Sequence, residues 1–474
     1  MTRLVRTVSL AAVVAVSHST IAMAQSEPPR PPAAPPRPFQ FPAVQSHTLA
    51  NGLRVYVVED HSVQVVAVRA VPAVNELSDP AGREGLTQVM LSALSEGTTN
   101  QSAAQLAAAS ARIGTAVAPT AFTTVTPAFE AGLALMGDML MHPSFDSLAI
   151  ERRKAAQAAS YRTINSRAST PARALFYALL DGREDAVARA QNATDAGVSA
   201  ITRADVVSFY EAHVGPSTIS LVIVGDVRDA DALAAATRVF GGWRKAATAA
   251  EPVATLPAPK PTTIYLRDVG GDATYIYAGN VGPRRDAPDA FAAEVLGTIA
   301  SSRFIRALRD RRALVYSGVV SVMWKPASRP SEFFGSTTVA ASKADSVLTE
   351  WIALLRSLRD PSSVTQGELT NAITSRVGVL WTKTDGPDSV ATRIVDALRD
   401  DLPPNYLAQY AAGVGAVTVP AVAAAAQKYI DLDHLVIVVT GDRKVLEPVL
   451  RAANIAPVVV VDSAGRPVAS QDGP

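Results

Sequence analysis

At 474 residues, with 48 % apolar and only 6 % aromatic side chains, the chain is too long for one typical domain and rich enough in small and β-branched residues to bury several cores. That balance excludes a disordered or fibrous polymer. The 44 basic and 43 acidic residues nearly cancel, which leaves no electrostatic case for nucleic acid, and the absence of cysteine excludes disulfides, thiolate metal sites, a cysteine nucleophile and a lipid-bearing cysteine.

The N-terminus has Arg3 and Arg6, an apolar run over 8–16, then Ala22-Met23-Ala24 before Gln25. This is the pattern of a secretory signal (1–24) with an A-x-A cleavage site. The run is far shorter than the roughly 20 residues a spanning helix needs, so an exported, periplasmic protein with no stable membrane insertion is expected. Loss of residues 1–24 takes the formal charge from +1 to −1. Residues 25–43 include "SEPPRPPAAPPRPFQFP", a proline-rich tether that can enter neither a helix nor a sheet interior.

A first lobe is expected over 44–250. In "HTLANGLRVYVVEDHSVQVVAVRAVPAV" the Asn51-Gly52 turn is followed by alternating apolar residues, a turn and two strands. Next comes "GREGLTQVMLSALSEGT", a helix between glycine turns that places Gln88 and Ser92 four apart on one face. Helical patterns run on to about residue 212, and the strand "ISLVIVGDV" and residues 240–245 close the lobe.

A second proline-rich join, 251–263, reads as a linker, and 264–474 as a second lobe. The second half repeats the first. "GVSAITRADV" at Gly197 matches "GVGAVTVPAV" at Gly413, and a strand ending Gly225-Asp226 matches one ending Gly441-Asp442, both at an offset of 216 residues. The fold class expected is therefore α+β: two homologous α/β lobes facing each other across a cleft. The linker leaves the angle between them open.

Of the six histidines, His18 leaves with the signal, and no two among His47, His61, His142, His213 and His434 lie three or four apart. A helical zinc site needs two ligands about one turn apart, so no local zinc motif is present; ligands from distant segments remain open. No convincing G-x-S-x-G, P-loop or dinucleotide fingerprint occurs. "VGGD" near Val269 reads as a turn.

In order along the chain, "LANGLRVYVVED", "GREGLTQVMLSALSEGT", "ITRADVVSFYEAHVGPSTISLVIVGDV", "SSRFIRALRDRRALVYSG" and the repeated Gly-Asp strand end resemble the insulinase/pitrilysin zinc metallopeptidases, particularly the two-lobed members similar to mitochondrial processing peptidase. The likeness spans about 49–450. Active members carry H-x-x-E-H, two zinc ligands and a general base. The aligned positions here are Gln88, Leu91 and Ser92, and all three functional side chains are lost. The family's further ligand, a glutamate on a later helix, should fall in "ERRKAAQAASYR", where no carboxylate follows Glu151.

The resemblance also implies that Arg312 and Tyr316 match an arginine and tyrosine that hold substrate backbone opposite the zinc; at i and i+4 they are expected on one side of a helix end or turn. Read without the family, Arg312 would be a solvated residue of a charged run and Tyr316 a core residue. Ala313 stands where the family commonly has glycine. The chain is therefore expected to be a non-catalytic, substrate-binding subunit of an exported heteromeric zinc peptidase. It has no metal or cofactor of its own; a homologous H-x-x-E-H partner supplies zinc, and the substrate is a peptide or unfolded protein. The alternative is a stand-alone peptide-binding pseudoenzyme, and an active peptidase with unconventional ligands is disfavoured.

Overall fold

The structure is a computed structural model describing residues 39–167, 169–245, 247–248 and 256–468. The expected signal peptide, residues 25–38 of the expected tether and residues 251–255 of the expected linker lie outside the described residues. Phe39 packs edge-on against Trp381, with ring centroids 5.6 Å apart, and Phe41 packs on an apolar cluster of the first sheet.

Strands β1 (Gln45–Thr48), β2 (Arg54–Glu59), β3 (Val65–Pro72), β4 (Ala121–Val125) and β5 (Ile219–Gly225) form the first sheet in the order β1-β2-β5-β3-β4. Gly52 takes φ 91° in the β1–β2 turn, a conformation that needs no Cβ. Asn51 Nδ2 donates to the carbonyls of Phe240 and Trp243 at 2.8 and 3.2 Å, tying the start of the lobe to its end.

Strands β6 (Thr263–Asp268), β7 (Ala273–Arg284), β8 (Gly318–Met323), β9 (Pro330–Ala340), β10 (Val436–Gly441) and β11 (Val458–Val461) form the second sheet, ordered β11-β6-β10-β7-β9-β8. Its β6-β10-β7-β9 core repeats β2-β5-β3-β4 strand for strand, with one parallel and two antiparallel pairings in the same sequence. The duplication also holds in detail: Thr202 and Thr418, 216 residues apart, each cap a helix (Arg203–His213 and Val419–Tyr429) that leads into the central strand. The α+β class of two homologous lobes is thus observed. Strand β4 departs from the helical reading of its region. Its β-branched "AFTTV" pairs with β3 over a run too short to interrupt the surrounding helical periodicity.

Each sheet packs one face on its own lobe's helices, as in the cluster joining Val55, Val57, Val66 and Val68 to Val89, Met90 and Leu133. The other face is covered from the opposite lobe. Helix Pro387–Arg399 lays Val390, Ala391, Ile394 and Val395 on Tyr56, Val58, Ala67, Val222 and Val224 of the first sheet. Helix Thr170–Leu180 lays Ala172, Leu175 and Phe176 on Phe334, Val438 and Val461 of the second. The exchange is symmetrical, since Pro171 and Pro387 in the first turns of these helices are again 216 residues apart.

Burying one aliphatic side chain contributes about 1.5–3 kcal/mol. Parting the lobes would expose two such faces at once, so the exchanged helices fix the interlobe angle that the linker left open. No single helix among the described residues is long and apolar enough to cross a membrane.

Candidate functional site

The segment containing Gln88, Leu91 and Ser92 forms helix Leu86–Ala93, and local chemistry dictates its start. Gly85 has φ 101°, and a Cβ there would lie 2.8 Å from Val198, so only glycine fits. The buried Asp79 carboxylate then accepts from the Gly85 and Thr87 amides at 2.6 and 2.7 Å and from the Thr87 hydroxyl at 2.6 Å, satisfying donors the helix leaves open. Burial nevertheless pushes the Asp79 carboxyl above its ordinary value.

This helix faces a cavity of about 1130 Å³ enclosed by both lobes. Gln88, Leu91 and Ser92 all line it, beside Arg153 and Gln157 of helix Ser147–Asn165. The second lobe contributes Tyr277, Trp324, Lys325, Glu332 and Phe334.

The residues at the motif positions do not suit zinc. Leu91 offers no donor atom, the Ser92 hydroxyl donates to the Val89 carbonyl at 2.9 Å, and the adjoining Arg153 is a cation bonded to Glu96 at 2.6 Å. Glu151, the acid of the later helix, is turned outward and pairs with Lys154 at 2.9 Å. Among the described residues no group of three or more His, Cys, Asp or Glu side chains is arranged to hold a metal ion. The five described histidines serve local structure: His47, His61, His142 and His434 bond carboxylates, and His213 bonds the Thr248 carbonyl.

Arg312 and Tyr316 are placed differently from their expected i, i+4 arrangement. Helix Ala290–Phe304 runs into a π-helical turn, Ile305–Arg311, which stops at Arg312 because Ala313 adopts φ 49°. The Ala313 and Leu314 amides donate back to Arg309 and Leu308 at 3.0 and 2.7 Å, closing the helix. Tyr316 follows in the connection to β8 and is 91 % exposed, so it is no core residue, while Val315 beside it is buried. Arg312 Nη2 pairs with Glu350 at 2.9 Å with more than half its side chain exposed. Neither residue lines the interlobe cavity.

One part of the site left no trace in the motif search. Against the cavity, Lys325 donates to both Asp181 oxygens at 2.8 and 2.9 Å and lies 3.1 Å from Glu332 Oε2. Tyr177 donates to Glu332, and Arg329 pairs with Asp185. All six side chains are buried, with Glu332 at 0 % exposure. Three carboxyls face two cations, and burial pushes Glu332 and Asp181 upward against the opposing pull of Lys325, and the Tyr177 phenol upward as well. A lone acid in "PSEFFGSTTVA", a strand otherwise apolar and hydroxylic, was the available sequence signal.

Fold and cavity together define a two-lobed, insulinase-like chain with no metal-binding cluster among its described residues. Residues 200–376 match the family model described as Peptidase M16 inactive domain, from the end of the first lobe well into the second. No curated protein matches the sequence. The chain is similar to a peptidase M16 inactive domain from Pseudomonas fluorescens (20 % identity over 84 % of this chain and 98 % of that one, TM-score 0.73). It is also similar to a protease from Helicobacter pylori (18 % identity, 84 % and 99 %, TM-score 0.74). The periplasmic protease PqqL from Escherichia coli is a third likeness (17 % identity, 91 % and 50 %, TM-score 0.70). The resemblance to the insulinase family, in its inactive form, therefore rests on the family model for 200–376 and on the fold for nearly all described residues.

Proposed function

We propose that this chain is the non-catalytic, substrate-holding subunit of an exported heteromeric zinc metallopeptidase acting on peptides or unfolded proteins. A homologous H-x-x-E-H partner supplies zinc and base, and each chain forms half of the reaction chamber. The observation that carries this reading is the intact helix Leu86–Ala93 opening on the cavity with Gln88, Leu91 and Ser92 where a metal site would stand. Export is supported by the N-terminal pattern and by the likeness to a periplasmic protease.

Arg312 and Tyr316 are the residues assigned to grip substrate. Both are exposed, Arg312 at the end of a π-helical turn, a geometry frequent at functional sites, and Tyr316 in the connection that follows it. An exposed ion pair such as Arg312–Glu350 is worth only about 0–1 kcal/mol, so a peptide carbonyl can compete for the guanidinium. In the assembled enzyme, Arg312→Ala or Tyr316→Phe lowers turnover by about a hundredfold, the scale of a lost oxyanion donor. Unchanged turnover in both variants, with assembly intact, contradicts the assignment.

The second reading, a stand-alone peptide-binding pseudoenzyme, draws on a different observation: both lobes of a single chain enclose the cavity, so peptide can be held without a partner.

A further inference from the structure

The charges around the interlobe cavity are unevenly satisfied. Arg153 is bonded to Glu96, Lys325 to Asp181 and Glu332, and Asp79 to the start of its helix. Asp400 is taken by Arg285 at 2.5 Å. Arg173 and Arg399 also line the cavity, yet among the described residues neither is in ion-pair contact with a carboxylate. The charge of Arg399 bears on neighbouring Asp400, but that carboxylate is already bonded. One lining acid, Glu76, is likewise uncommitted and exposed; the lining as a whole carries four cations and four acids, and its side chains left without a partner are two guanidiniums against this one carboxylate.

The two guanidiniums stand on the two exchanged helices, Thr170–Leu180 and Pro387–Arg399. A rigid fork of donors facing a partly enclosed, aromatic-lined space matches a planar carboxylate in two parallel hydrogen bonds. Tyr161, Tyr277, Trp324 and Phe334 supply apolar surface around it.

We propose that the interlobe cavity selects peptide segments bearing a carboxylate, which Arg173 and Arg399 bind while the aromatic wall covers neighbouring apolar side chains. The proposal rests on the peptide-holding reading above and adds a charge preference to it. The carboxylate comes either from an acidic side chain or from a peptide C-terminus.

The test is fluorescence anisotropy on the purified protein with one short unstructured phenylalanine-containing peptide in four forms: paired Glu or paired Gln, each ending in a free acid or an amide. The Glu or free-acid forms are expected to bind about tenfold more tightly than their neutral counterparts. A preference following Glu assigns the side chain as the source, and one following the free acid assigns the C-terminus. The preference falls away in R173Q/R399Q and in high salt, and R173K/R399K retains part of it because charge remains while the fork is lost. Equal binding of all four peptides, or an unchanged preference in R173Q/R399Q with native circular dichroism, overturns the charge preference alone. Failure of all four to bind overturns the peptide-holding reading and the selectivity with it.

Discussion

Lys325 Nζ sits 2.8 and 2.9 Å from the two oxygens of Asp181, a residue 144 positions away in the other lobe. The contact joins lobes that already exchange helices, and it sits in the wall of the cavity they enclose. Breaking a buried pair by removing one partner leaves an uncompensated charge and costs about 3–5 kcal/mol. Lys325→Met is therefore expected to lower unfolding free energy by that amount in urea titration. Adding Asp181→Leu is expected to recover much of the loss, because an apolar pair of similar volume carries no desolvation penalty.

The same cluster makes stability pH-dependent. The folded-state values of Glu332 and Asp181 are raised, so their contribution is full below the ordinary carboxylate range and declines as pH rises through the raised values. Glu368 has the opposite sign: hydrogen bonds from Arg303 hold it at about 2, against an ordinary 4.5, so its contribution is present above 4.5 and is lost as pH falls towards 2. Unfolding free energies of the wild type and Glu332→Gln, measured from acid to neutral pH, should diverge on the alkaline side of 4.5, with the wild type losing ground. A Glu368→Gln protein should show a shallower acid-side decline, with the remainder coming from other carboxylates held low, such as Asp138 and Asp388.

Ala313 is left-handed where only glycine is unstrained. Ala313→Gly is expected to raise stability by about 0.5–1 kcal/mol, the relief of strain exceeding the added freedom of the unfolded chain. Thermal denaturation reads this directly. A loss of stability would mean that the alanine methyl makes contacts outweighing its strain.

Gln88→His, Leu91→Glu and Ser92→His together rebuild two ligands and a base on a helix already facing the cavity. Zinc binding by calorimetry should remain weak, because two imidazoles leave the ion short of its usual protein ligands. Gln157→Glu, on the neighbouring helix that lines the same cavity, is expected to tighten it by about tenfold or more. No gain from that fourth change would mean the facing helix stands too far from Gln88 and Ser92.

Local chemistry and repetition made much of this legible in the sequence. The 216-residue offset located the duplicated helix and central strand, and the glycines around Leu86–Ala93 marked the helix that faces the cavity. Long-range pairing left far weaker signals. Helix Pro387–Arg399 is an ordinary amphipathic helix in sequence, and nothing local says that Ile394 lies on Val222 in the other lobe. Lys325 and Arg329, in a polar turn, read as solvated because their partners Asp181 and Asp185 are 144 residues away. The local geometry at Arg312 and Tyr316 was not legible, since the helix ends at Arg312 and the left-handed Ala313 takes the chain out of helical spacing before Tyr316. The exchanged helices did leave one signal, a pair of prolines, Pro171 and Pro387, at the same offset as the rest of the repeat.

The most direct measurement is native purification of this chain from its own cell envelope, followed by mass spectrometry of whatever remains bound in stoichiometric amount. A subunit role predicts a second chain of similar fold carrying H-x-x-E-H and zinc. Recovery of this chain alone, or with itself only, contradicts that role and leaves a protein that holds peptide without cutting it.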